Sequence, residues 1–196
     1  MRLNSSHSYV DRGNDFYPTP IEAIQSLIEI EGARMPHTIW EPACGDGAIV
    51  KPLERSGRQV VATDLIDYGA GYCGHVNFLD TLCPSDAEGI VTNPPYKLAS
   101  QFVEKAIREA PYSAFLLRIN FLESIRRYDF WKQAPLARVL VSSRRLPTMH
   151  RHGWEGPKAP SNMLFAWFVF EKDNYERKIE WFDWADYKKE FSCDIH

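Results

Sequence analysis

The sequence predicts an α/β fold in which helices cover both faces of a mostly parallel sheet. Two observations support this prediction: short apolar runs typical of buried strands alternate with amphipathic helical patterns, and the connections between them are mostly short. The 196 residues, 44% of them hydrophobic and 25% charged, suit one globular domain with a full core. We therefore treat residues 1–196 as a single domain.

The first helix is predicted at the segment TPIE, residues 19–22. Thr19 would be the N-cap, Pro20 would fit the first turn, and Glu22 would complete a capping box. Apolar residues at helical spacing then continue the helix through Ile28.

Seven segments have the apolar character of strands: 37–41, 58–63, 75–79, 89–93, 112–119, 138–143 and 163–170. The segment 75–79 is the weakest of them. Because no helix is evident between the last two strands, we expect an antiparallel edge in an otherwise parallel sheet.

Helices are predicted in three of the connections. A short one ends near Gly57, a clearly amphipathic one covers 99–110, and another covers 122–131. Residues 144–162 form a long connection rich in Arg, His, Gly and Pro, and a loop of this length in a compact domain is usually functional or disordered. In the tail, 173–196, aromatic residues at helical spacing predict docking on the core: Trp181, Trp184, Tyr187 and Phe191.

Charge is unevenly distributed along the chain. Residues 1–96 carry 6 Lys/Arg and 13 Asp/Glu, whereas residues 97–158 carry 12 Lys/Arg and 5 Asp/Glu. The basic segment suggests a surface that binds a polyanion, although solvated helix faces would explain it equally well.

The sequence lacks the features of a membrane span, a signal peptide and a zinc site. No apolar run reaches the length of a membrane span, and residues 1–17 lack the apolar centre of a signal peptide, so we expect a cytoplasmic protein without membrane partners. The four cysteines show no CxxC spacing, which favours free thiols over disulfides or a zinc site.

Polar residues follow the predicted strands one after another. Glu41 and the loop PACGDG (42–47) follow the first strand, Asp64 the second, Asp80 the third and Asn93 the fourth. Ligands of open parallel sheets bind at the carboxyl ends of the strands, so these residues should converge on one site.

The acidity of this edge selects the ligand that it would bind. Gly45-Asp46-Gly47 is half of a dinucleotide fingerprint, but Val50 replaces the third glycine and Asp46 would repel a pyrophosphate. S-adenosylmethionine carries a ribose, an ammonium and a sulfonium but no phosphate. We therefore expect this cofactor, with Asp64 binding the ribose hydroxyls and Asp80 accepting from the adenine amino group.

The loop Asn93-Pro94-Pro95-Tyr96 suits methyl transfer to a planar amino nitrogen. Such a nitrogen is a poor nucleophile, because its lone pair is delocalised. The Asn93 side-chain oxygen and the Pro94 carbonyl oxygen would accept hydrogen bonds from the amine, two prolines would stiffen the loop, and Tyr96 would stack on the substrate. In-line geometry with the sulfonium would supply most of the remaining acceleration.

These motifs resemble those of S-adenosylmethionine-dependent amino-methyltransferases. NPPY (93–96) looks like their catalytic motif, and EPACGDG (41–47) looks like their cofactor motif. NFLD (77–80) looks like their adenine-contacting motif, and DFYPTP (15–20) looks like the segment that precedes these motifs. The resemblance covers about residues 15–170 and implies a Rossmann-like methyltransferase fold. The chain is most similar to small DNA adenine-N6 methyltransferases of phage and prophage type.

The resemblance also implies which residues form the site. The catalytic residues would be Asn93, Pro94, Pro95 and Tyr96. The cofactor would be bound by Tyr17, Pro18, Thr19, Glu41, Ala43, Gly45, Asp46, Gly47, Asp64, Leu65, Asp80 and Asn93.

Recognition of the substrate is assigned to the connection 144–162. Family members commonly carry a target-recognition domain after the catalytic core, and about 26 residues here follow the last predicted strand. Three alternatives follow: the loop reads DNA itself, a partner protein or a second copy assists, or the enzyme is only weakly sequence-selective. Phosphates would be met by Arg144, Arg145, Arg151 and Lys158, and an extruded base would stack on His152 or Trp154.

Other substrates share the NPPY chemistry. Enzymes with this motif also methylate a glutamine side chain in proteins, or a base in RNA. A nucleotide-binding module without turnover is a further alternative, which the intact NPPY motif disfavours.

Overall fold

A computed structural model of the chain describes residues 17–147 and 163–187. Its strands are β1 (Thr38–Glu41), β2 (Gln59–Ala62), β3 (Gly89–Thr92), β4 (Tyr112–Arg118), β5 (Leu136–Ser142), β6 (Phe165–Glu171) and β7 (Lys178–Phe182). Its α-helices are α1 (Ile21–Glu31), α2 (Val50–Arg55), α3 (Ala99–Glu109) and α4 (Tyr128–Gln133). None of the described helices is long and apolar enough to cross a membrane.

All seven strands belong to one sheet, in the order β2-β1-β3-β4-β6-β5-β7. β1 pairs in parallel with β2 and β3, and β3 pairs in parallel with β4. β6 runs antiparallel to β4 and β5, and β7 is parallel to β5. The predicted fold class is confirmed, with antiparallel pairing confined to the β4 side of the sheet.

Apolar residues fill both faces of the sheet. One buried cluster joins α1 and α2 to the sheet, and the second joins α3 to the other face, with α4 packed against it. The central strands β3, β4 and β6 are buried along almost their whole length, as expected where helices cover a sheet on both faces.

Two buried polar contacts fix α1 on the sheet. The indole nitrogen of Trp167 donates to the carbonyl oxygen of Ala23 at 2.9 Å. At the other end of the helix, the buried carboxylate of Glu31 accepts two hydrogen bonds from Arg138, which also pairs with Glu171. These contacts set the position of the segment before α1, which enters the site described below.

The predicted capping box at the start of α1 is wrong. The helix begins at Ile21, and Pro20 is the N-cap, with no side-chain cap hydrogen bond. Thr19 precedes the N-cap, and its hydroxyl accepts a hydrogen bond from Asn93, 74 residues further along the chain. A tertiary contact has replaced the local one.

The predicted strand 75–79 is also absent from the described structure. His75 has a positive φ of 63°, and the side-chain oxygen of Asn77 accepts from the backbone N–H of Leu79, which closes a turn. The seventh strand is instead β7, which lies in the tail. Its exposed residues include Trp181, so the helical spacing of the tail aromatics was misleading. Trp184 and Tyr187 pack against the α1 cluster, and Phe191 lies outside the described residues.

The helix predicted at 122–131 is shorter than expected. Two 3₁₀ turns, Ile119–Leu122 and Ile125–Arg127, precede α4. The Ser124 side chain accepts from the backbone of Arg126, and the Arg127 guanidinium donates to three nearby carbonyl oxygens. These local side-chain bonds compete with the α-helical pattern.

Candidate active site

The carboxyl ends of β1, β2 and β3 surround a cavity of about 350 Å³. This volume falls in the range of small-molecule sites. The loops that follow the three strands form most of its wall, and Tyr17, Thr19, Asn77 and Phe78 complete it. The predicted convergence of polar strand ends on one site is therefore observed for Glu41, Asp64 and Asn93.

Glu41 is fully buried at the end of β1 and lines the cavity. Its Oε1 accepts from the Thr92 hydroxyl at 2.6 Å and from the backbone N–H of Ala43 at 3.1 Å. Its Oε2 has no hydrogen-bond partner among the described residues. Burial raises the pKa of Glu41 to about 8, because the charged carboxylate has lost its water.

Asp64 ties the loop after β1 to the end of β2. Its Oδ2 accepts from the backbone N–H of Gly45 at 2.9 Å, and its Oδ1 accepts from Ile66 at 2.9 Å. Burial raises the pKa of this carboxyl above its usual value. Since each carboxylate oxygen has a second lone pair, Asp64 still offers acceptors to a ligand in the cavity.

Gly47 is required by the geometry of the loop after β1. Its φ is +83°, and a Cβ built on it would lie 2.5 Å from the Tyr72 hydroxyl oxygen. The left-handed conformation strains residues other than glycine, and a Cβ here would also require the end of the Tyr72 ring to move.

We expect Gly47→Ala to destabilise the protein more than Gly57→Ala does. Gly57 has a similar φ of +86°, but nothing lies within 4 Å of its Cβ position, so this matched variant isolates the backbone strain. That strain costs about 1–3 kcal/mol, and overpacking against Tyr72 adds about 1–3 kcal/mol. Denaturant unfolding measures both; equal losses of stability would show that Tyr72 does not restrict the loop.

Asn93 connects β3 to the segment before α1. Its amide nitrogen donates to the carbonyl oxygen of Tyr17 at 3.3 Å and to the Thr19 hydroxyl at 3.1 Å. These bonds fix the orientation of the amide, and Oδ1 is therefore the acceptor that the side chain can present to a substrate.

The rest of the NPPY loop also lines the cavity. Pro94, Pro95 and Tyr96 all contribute to its wall, and Pro95 accepts from the backbone N–H of Leu98 in a turn that leads into α3. The Tyr96 ring stacks on Tyr17 at a centroid distance of 5.3 Å. The predicted catalytic loop is thus held rigidly beside Glu41 and Asp64.

Four predicted cofactor residues do not line the cavity. They are Pro18, Gly45, Gly47 and Asp80, whereas Tyr17, Thr19, Glu41, Ala43, Asp46, Asp64, Leu65 and Asn93 do line it. The expected contact between Asp80 and adenine stays a prediction. The Asp80 carboxylate accepts from the Asn77 amide nitrogen at 2.5 Å, and it is Asn77 that lines the cavity.

Sequence reasoning also missed apolar and aromatic parts of the wall. These include Ile49, Ile66, Tyr68, Val76, Phe78 and Phe102. Apart from Phe78, which lies in the NFLD segment, no motif marks them, because their position depends on how loops and helices from distant segments meet. The position of Asn77 in the wall could have been predicted, since Asn77 lies in the same NFLD segment as Asp80.

Fewer basic side chains of the segment 97–158 are available to bind a polyanion than its composition suggests. Lys105, Lys132, Arg138 and Arg144 each form a salt bridge with a carboxylate. Arg144, a predicted phosphate contact, binds Asp183 through two nitrogens, and the Arg145 carbonyl oxygen accepts from the Trp184 indole. The other predicted substrate contacts, Arg151, His152, Trp154 and Lys158, lie outside the described residues.

No protein-family model matches the chain, and no curated protein matches it either. Solved structures share its fold. A type I restriction-modification methyltransferase subunit from Streptococcus thermophilus aligns with a TM-score of 0.59 and 15% identity, covering 88% of this chain and 48% of that one. This chain therefore spans about half the length of that subunit.

Two further structures are methyltransferases of other kinds. A candidate RNA methyltransferase from Pyrococcus horikoshii aligns with a TM-score of 0.58 and 13% identity over 80% of this chain and 87% of that one. Magnesium protoporphyrin IX methyltransferase from Synechocystis PCC 6803, solved with bound S-adenosylmethionine, aligns with a TM-score of 0.53 and 10% identity, covering 78% of each chain. The chain has the Rossmann-like methyltransferase fold.

Proposed function

We propose that the protein is an S-adenosylmethionine-dependent methyltransferase that acts on an exocyclic amino nitrogen, and that its product is N6-methyladenine in DNA. The observation that carries this proposal is the arrangement of the NPPY loop, which lines the same cavity as the buried carboxyl of Glu41. The fold is compatible with it, since several structures that share the fold are methyltransferases.

The residues of the cavity fit the cofactor. The unpartnered Oε2 of Glu41 is a buried acceptor suited to an ammonium group, and the carboxylate of Asp64 suits ribose hydroxyls. Asn77 takes the role first given to Asp80: its amide lies in the wall, where it suits the adenine edge, and Asp80 orients it. When bound, S-adenosylmethionine would supply the electrophilic methyl group.

The protein's part in the reaction is to hold and orient the amine. Asn93 Oδ1 and the Pro94 carbonyl oxygen would accept from its two N–H groups, which favours a pyramidal nitrogen with an available lone pair. No strong base is needed before transfer, because the nitrogen becomes acidic only once it is methylated.

The first test is a labelling experiment with tritiated-methyl cofactor and separate pools of duplex DNA, RNA and protein. We expect label in DNA, recovered as N6-methyladenine after nucleoside analysis. Label in glutamine or in an RNA base would reject the DNA substrate but keep the chemistry. Cofactor binding without label in any pool would indicate a binding module.

The second test concerns cofactor choice. The cavity wall carries three carboxyl groups, from Glu41, Asp46 and Asp64, so a cationic cofactor should be preferred over one with a pyrophosphate. Calorimetry should therefore show binding of S-adenosylmethionine and weaker or no binding of NAD. The reverse preference would contradict the assignment.

A further inference from the structure

Arg118 lies at the carboxyl end of β4, outside the residues assigned to the cavity wall. Its guanidinium carbon lies 4.5 Å from the centroid of the Tyr96 ring. This is the distance of a stacked, cation–π contact. Arg118 is therefore the cation held directly against the aromatic ring of the NPPY loop.

The position of Arg118 is fixed by the sheet. It pairs with Phe165 across β4 and β6, and Phe165 packs against Tyr96 at a centroid distance of 5.9 Å. The backbone that follows is also anchored, since Ile119 donates to the Leu164 carbonyl oxygen at 2.9 Å. A strand end and a rigid turn thus present this guanidinium, with no flexible loop involved.

The Nε of Arg118 is buried and has no acceptor among the described residues. The same holds for the Nε of Arg58, but Arg58 donates through its other two nitrogens to Ser56 and Gly32. Arg138 and Arg144, in contrast, each bind carboxylates, and Arg127 binds backbone carbonyls. A buried charged donor without an acceptor is costly to maintain, which points to an acceptor that arrives with a ligand.

We propose that Arg118 binds a phosphate next to the target nucleotide and so positions its base at the NPPY loop. The proposal rests on the function proposed above and adds a specificity-determining residue to it. The guanidinium lies against the loop that would receive the base, and its planar fork matches a phosphate.

Charge also favours a phosphate as the ligand of Arg118. The carboxylates of Asp46 and Asp64 in the cavity wall repel a polyanion. The positive charge of Arg118 beside Tyr96 offsets this repulsion at the place where the nucleic acid would enter the cavity. A protein glutamine also offers a planar amide, but it carries no anion for Arg118. The residue therefore selects nucleic acid over protein.

The test compares Arg118→Gln and Arg118→Lys with Arg108→Gln, an exposed arginine near the end of α3. Methyl transfer to an oligonucleotide and oligonucleotide affinity are measured over a range of salt concentrations. For Arg118→Gln we expect KM to rise roughly tenfold or more, as for loss of one charge-assisted bond. The negative slope of log affinity against log salt should become less steep, by about 0.9 on duplex DNA or about 0.7 on a single strand.

Arg118→Lys should restore the salt slope but not the full KM, because lysine keeps the charge and lacks the planar fork. Arg108→Gln should change neither quantity. Calorimetry of cofactor binding shows whether each variant is folded and cofactor-competent. Unchanged KM and salt slope in a folded Arg118→Gln protein would overturn the proposal, as would wild-type label that appears only in glutamine. Absence of label in every pool with the wild-type protein would instead count against the proposed function itself.

Discussion

Asn93→Ala should lower the rate of methyl transfer by roughly a hundred- to a thousandfold, the usual effect of losing one preorganised hydrogen-bonding group. The substitution removes the Oδ1 acceptor beside Pro94 and frees the partners of the amide nitrogen, Tyr17 and Thr19. Single-turnover measurements at saturating cofactor report the chemical step directly. Cofactor affinity, measured by calorimetry, should change far less than the rate.

Thr19→Val is the companion variant for this experiment. It removes one of the two acceptors that orient the Asn93 amide and retains the shape of the side chain, and the Tyr17 carbonyl oxygen still accepts. Its rate should therefore fall less than that of Asn93→Ala. Near-wild-type turnover in Asn93→Ala would remove Asn93 from the mechanism.

The second large effect is a pH dependence of stability that originates at Glu41. Its pKa is raised from 4.5 to about 8 in the folded protein, mainly by burial. The folded state thus retains a proton that the unfolded state releases, and the stabilisation is full below pH 4.5 and lost as pH rises through 8. This pKa shift corresponds to a decrease of about 5 kcal/mol in the free energy of unfolding between pH 4.5 and pH 8.

Glu41→Gln isolates this contribution, because its side-chain oxygen can still accept from Thr92 and Ala43 but it does not titrate. Urea unfolding between pH 5.5 and 8.5 should give a free energy of unfolding that falls with pH much more steeply for the wild-type protein than for the variant. A cationic cofactor should remove the effect by favouring the carboxylate, so its binding should release a proton. Identical pH slopes for the two proteins would show that Glu41 is not the group responsible.

The central part of the fold was predictable because its signals are local. Runs such as that of β4 are apolar along almost their whole length, and α3 has a regular apolar face. Parallel strands bring their carboxyl ends to one edge whatever the loops do, and for this reason Glu41, Asp64 and Asn93 could be placed together in advance.

Other features depended on contacts that no local pattern contains. β7 carries exposed Ile179 and Trp181, so its pattern does not indicate a buried face. Thr19 lost its expected capping role to a contact with Asn93. Arg118 was one of 12 cations in the basic segment, and only the folded structure separates it from those already paired with carboxylates.

The bonds from Asn93 to Tyr17 and Thr19 have a thermodynamic consequence. The segment that lines the cavity also orients the amide that would receive the substrate, so the proposed cofactor and substrate would restrain the same few atoms. The restraint imposed by the first ligand would then not need to be imposed again by the second, and their binding should be positively cooperative. By linkage the effect is reciprocal: each ligand should raise the affinity for the other by the same factor.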